Sequence, residues 1–112
     1  QRDNKNSMNQ FDAEKMLEYL AETDEPFADA VTATKAKAFL IKKRQAQAFS
    51  EAKGSVESRK QEAEVNEKVL DAKRAYLKAF NEAEILSAKR ETAKLRWEHW
   101  RSTEASRRVG GI

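Results

Sequence analysis

The chain of 112 residues is 37% charged and 39% hydrophobic at a net charge of +3, with three Gly, one Pro and no Cys, a composition that belongs to long helices and coiled coils. One domain fits in that length, and the lack of cysteine excludes a disulfide scaffold, a thiolate zinc site and a cysteine nucleophile. Apolar runs span only a few residues, which excludes a membrane-spanning helix and a signal-peptide core, and the expected location is cytoplasmic.

Gln1 to Ser7 is polar with nothing to bury, so residues 1–8 are expected to be either a disordered leader or added residues ahead of Met8 as the initiator. A first, short helix is predicted over about residues 9–22. Phe11, Ala13, Met16, Leu17 and Leu20 fall on one face, and Asp12 and Glu14 suit the positive end of its dipole. Thr23-Asp24-Glu25-Pro26 should end it, because Asp24 can cap the next helix and proline is tolerated in a first turn.

A second helix is predicted over about residues 25–53. Phe27, Val31, Thr34, Ala38, Ile41, Gln45, Ala48 and Ala52 recur at alternating steps of four and three, a heptad seam with Gln45 as its one polar member. Gly54 suits a left-handed residue after the helix, and Ser55 or Ser58 can cap the next.

The third helix is predicted over about residues 56–106, with 109–112 as a flexible tail. Its seam reads Val65, Val69, Ala72, Tyr76, Ala79, Ala83, Leu86, Arg90, Ala93, Trp97 and Trp100, widened by Leu70, Leu77 and Phe80. At 1.5 Å per residue it would be roughly 75 Å long against about 40 Å for the second. Joined at Gly54, the two must be antiparallel, which sets Phe27 near Phe80 to Ala83 and leaves Ile85 onward overhanging. The first helix covers that overhang only if it turns at Pro26; otherwise a second chain does. The alanine-rich seams bury little area per residue, at roughly 25 cal/mol per Å², and Trp97 and Trp100 need a cover. The expected fold is therefore all-α: one helical domain over residues 9–108, a coiled-coil-like antiparallel hairpin with a short N-terminal helix, forming a homodimer.

Charge is polarised along the chain. Between Asp12 and Asp29 there are seven carboxylates against Lys15 alone, and between Lys89 and Arg108 seven bases against three acids. Enzyme chemistry finds no foothold. His99 has Leu95, Arg96, Ser102 and Thr103 as helical neighbours, which supply no metal set. Carboxylates such as Glu84 and Glu91 sit on solvated faces, and the glycines match no phosphate-binding spacing. Neither a catalytic residue nor a cofactor or metal is expected.

One constellation stands out. Arg90, Lys94, Trp97, Arg101 and Arg108 follow helical spacing, with Lys89 and Arg96 flanking and Trp100 adjacent. Guanidinium groups and indoles suit a protein interface, where Trp and Arg are the usual hot spots, and they also suit single-stranded nucleic acid. A third account makes the tryptophans dimer core and lets the arginines answer the acidic first helix; Glu91, Glu98 and Glu104 dilute the stripe for nucleic acid. On the second helix, Lys35, Lys37, Lys42, Lys43 and Arg44 flank the seam and are expected to pair with Glu57, Glu62, Glu64, Glu67 and Asp71.

The run from the acidic E-T-D-E-P helix end, through an Ala/Lys/Glu hairpin, to the basic R-W-E-H-W-R end resembles small accessory proteins of tailed phages and prophages. That resemblance implies assistance in recombination or replication, or binding and blocking of a host enzyme. The expected function is a non-enzymatic helical scaffold that binds another protein through Arg90, Lys94, Trp97, Trp100, Arg101 and Arg108. Nucleic-acid binding is the alternative, and no membrane is involved.

Overall fold

The protein is described here by a computed structural model covering residues 9–110; the leader expected over residues 1–8 and the last two residues of the expected tail lie outside the described residues. Three helices follow one another: α1 (Gln10–Glu51), α2 (Val56–Glu64) and α3 (Glu67–Gly110). No strand occurs among the described residues, so the chain is all-α. No helix among them is long and apolar enough to cross a membrane.

Asn9 starts α1: its side-chain oxygen accepts the Asp12 amide at 2.9 Å and its carbonyl accepts the Ala13 amide at 3.0 Å. The break expected after Glu22 is absent, and α1 is helical straight through Pro26. An interior proline removes one backbone bond, here to the Glu22 carbonyl, and costs about 3 kcal/mol. The covered face offsets that cost. Ala13, Met16, Leu20, Thr23 and Phe27 are buried or half-buried and lie three or four residues apart, in phase with Val31, Thr34, Ala38, Ile41, Gln45 and Ala48 beyond the proline. A stop at Pro26 would interrupt that face at its middle.

Past Glu51 the chain turns at Gly54, whose φ of +110° is open to glycine and strained for other residues. Ser55 caps α2, its hydroxyl accepting the Ser58 amide at 3.2 Å. The expected third helix is then split. At Val65 the helical run stops, and Asn66 caps α3, its side-chain oxygen accepting the Lys68 amide at 2.9 Å. Val65, expected in the seam, is 69% exposed. At the other end α3 continues to Gly110, past the expected helix end at Ser106 and into the expected tail.

The described residues group into two compact units. In the second, Ala28–Glu84, the α1 and α3 segments run antiparallel: Ala48 clusters with Val69 and with Ala63 of α2, while Leu40 and Arg44 share a groove with Ala72 and Ala75. Arg59 of α2 donates to the Phe49 carbonyl at 3.1 Å and stacks on the Phe49 ring, which fastens α2 to α1. In the first unit, residues 9–27 pack with residues 85–110. Phe27 lies there beneath the Arg90 guanidinium, 5.4 Å from ring centroid to carbon. The N-terminal part of α1 thus lies against residues from Ile85 onward in the same chain.

Candidate interaction site

The C-terminal half of α3 carries the six residues singled out above, and the helix sorts them onto different faces. Arg90 points inward. Its Nη1 donates to the Leu20 carbonyl at 2.8 Å and to Thr23 Oγ1 at 2.6 Å, and its Nη2 pairs with Asp24 Oδ1 at 2.7 Å. With the Phe27 ring beneath it, the side chain is only 20% exposed. Thr23 relays part of this contact by donating its own hydroxyl to the Tyr19 carbonyl at 2.7 Å. Arg90 is thus spent on the turn of α1 just before Pro26. Asp24 belongs to the acidic segment that the arginines were expected to answer, whereas Leu20, Thr23 and Phe27 were not anticipated as partners.

Lys94, Arg101 and Arg108 lie seven residues apart, hence along one line beside the covered face, and all three are exposed. Trp97 and Trp100 are half-buried in the packed face. The Arg101 guanidinium sits over the Trp97 ring at 5.1 Å from its centroid, a cation–aromatic pair that holds both groups in place. Among the described residues Lys94, Arg101 and Arg108 take part in no ion pair, whereas Arg107 is held by Glu104 at 2.7 Å. Lys89 and Arg96 occupy the opposite flank, and His99 is exposed.

The same unit carries an acidic stripe. Glu14, Glu18, Glu22 and Glu25 lie on the side of α1 away from its covered face, all exposed, with exposed Phe11 at their N-terminal end. In the other unit the expected pairing of the α1 lysines does not form among the described residues: Glu64 meets Lys73 at 3.8 Å and Asp71 meets Arg74 within its own helix. Lys35, Lys42 and Lys43 remain in solvent.

No polar or charged residue is buried among the described residues, and no three His, Cys, Asp or Glu residues gather there into a metal-binding group. No family model, no curated protein and no solved structure matches the chain.

Proposed function

We propose that this protein is a non-catalytic helical interaction module that docks another protein on the Lys94–Trp97–Arg101–Arg108 face of α3. The observation that carries this reading is the stacked Arg101–Trp97 pair with Lys94 exposed one turn away. A planar cation fixed on an aromatic ring loses little side-chain freedom on binding, and such pairs are frequent interface anchors. Trp100 completes the aromatic content of this end from within the packed face, while Arg90 supports the site by fixing α1 against α3.

A polyanion suits the unit less well. Four exposed carboxylates on α1 stand in the same compact unit, and their field opposes a phosphate backbone that would otherwise follow the basic line. An acidic protein surface of limited extent can meet the basic line while standing clear of that stripe.

The test is capture from a cell lysate, with and without nuclease, by the parent and by a variant carrying Lys94→Glu, Arg101→Glu and Arg108→Glu. Arg90 is left intact, because its loss would disturb the fold. A protein partner retained by the parent after nuclease and lost by the variant supports the reading. Loss of all capture on nuclease treatment assigns the face to nucleic acid, and equal recovery by both proteins removes the face from function altogether.

A further inference from the structure

Resting on the reading of this face as a protein-docking surface, we infer that one occupant is the acidic stripe of α1 from a second copy of the chain. Three observations meet here. The basic line Lys94, Arg101 and Arg108 is exposed and takes part in no ion pair among the described residues. The stripe Glu14, Glu18, Glu22 and Glu25 is equally exposed and equally outside the ion pairs formed there. The spacings also agree: Phe11, Glu18 and Glu25 are seven residues apart, as are Lys94, Arg101 and Arg108. Seven residues rise about 10.5 Å along any α-helix, so two carboxylates of one copy match two successive cations of the other, and Phe11 extends the same line.

Neither stripe can satisfy the other within one chain. The acids project from the side of α1 that faces away from its packed partner, so they are open to another molecule. Both stripes lie in the same unit of 9–27 and 85–110, so each copy offers one donor and one acceptor surface. Contacts of this kind are exposed and screened by salt, and each ion pair contributes little alone. The resulting association is weak and depends on ionic strength.

Sedimentation equilibrium on the intact chain tests this directly. At about 20 mM salt, where the screening length is long, the parent should associate at high micromolar concentration, and at about 0.5 M salt it should sediment as a monomer. Glu18→Lys with Glu25→Lys should weaken association at low salt by at least about tenfold, and so should Lys94→Glu with Arg101→Glu. Mixing the two variants in equal amounts should restore a mixed complex, since the exchanged charges meet again; circular dichroism of each variant checks that its helices persist. A parent that is monomeric at low salt overturns the inference, as does association indifferent to salt or a mixture that does not combine. In those cases a lysate partner lost by the Lys94, Arg101 and Arg108 variant would still uphold protein docking, so the two proposals fail separately.

Discussion

Arg90 occupies a seam position of α3 where an aliphatic side chain would pack, yet it makes three polar contacts with one turn of α1. Hydrogen bonds to a charged group in a mostly covered setting are worth about 1.5–3 kcal/mol when deleted. Asp24, its carboxylate partner, is 69% exposed, so that ion pair alone contributes about 1 kcal/mol or less. Arg90→Ala should therefore lower stability in urea melts by about 2 kcal/mol, and Asp24→Ala by clearly less. Equal losses would mean that the ion pair, and not the bonds to Leu20 and Thr23, is the stronger contact. Arg90→Lys should not rescue, because an ammonium cannot span the carbonyl, the hydroxyl and the ring together.

Pro26 and Asn66 show how an element's extent is decided. Proline inside α1 is carried by the continuous packed face on either side of it, so Pro26→Ala should regain the lost backbone bond and raise stability by about 1–3 kcal/mol. Asn66→Ala removes the cap of α3 and should lower stability by about 1 kcal/mol, both changes being read as shifts in thermal midpoint. Periodicity made most of this legible in advance. Every member of the four-three seam from Phe27 to Ala52, and from Val69 to Trp100, is buried or half-buried, whereas Leu77 and Phe80, expected to widen it, are 62% and 44% exposed. What misled was local punctuation. Pro26 weighed as a stop although Met16, Leu20, Thr23 and Phe27 hold one phase across it, and that phase was the available signal. Val65 weighed as a seam member although Asn66 beside it is a strong capping residue. The inward turn of Arg90 was half visible, since a basic group at a seam position opposite an acidic segment has a natural partner. Which acceptors it meets depends on the register of α1 against α3, and no pattern in the sequence reports that.

Across the molecule, the interior is small and much of the large apolar surface lies outside. Among the described residues, the buried hydrophobic ones are seven alanines and Val69, whereas Phe39 is 75% and Leu77 62% exposed. Val69→Ala should cost about 1–2.5 kcal/mol through lost burial and the void left behind. Leu77→Ser should stay within about 0.5 kcal/mol of the parent. Denaturant midpoints for the pair check the assignment of inside and outside, and similar losses would mean that Leu77 is packed in solution.

An alanine-lined interior also sets a rule of tolerance that hydrophobicity does not describe. A methyl group is small enough for the helices around Ala72 and Ala93 to approach closely, so the interior is defined by an upper limit on volume. Ala72→Leu, more apolar than the residue it replaces, should wedge the helices apart and cost about 1–3 kcal/mol. Ala72→Ser, more polar but nearly the same size, can turn its hydroxyl onto a carbonyl of its own helix and should cost less. Thermal melts that order serine above leucine at this position would establish that bulk, and not polarity, is what the interior refuses.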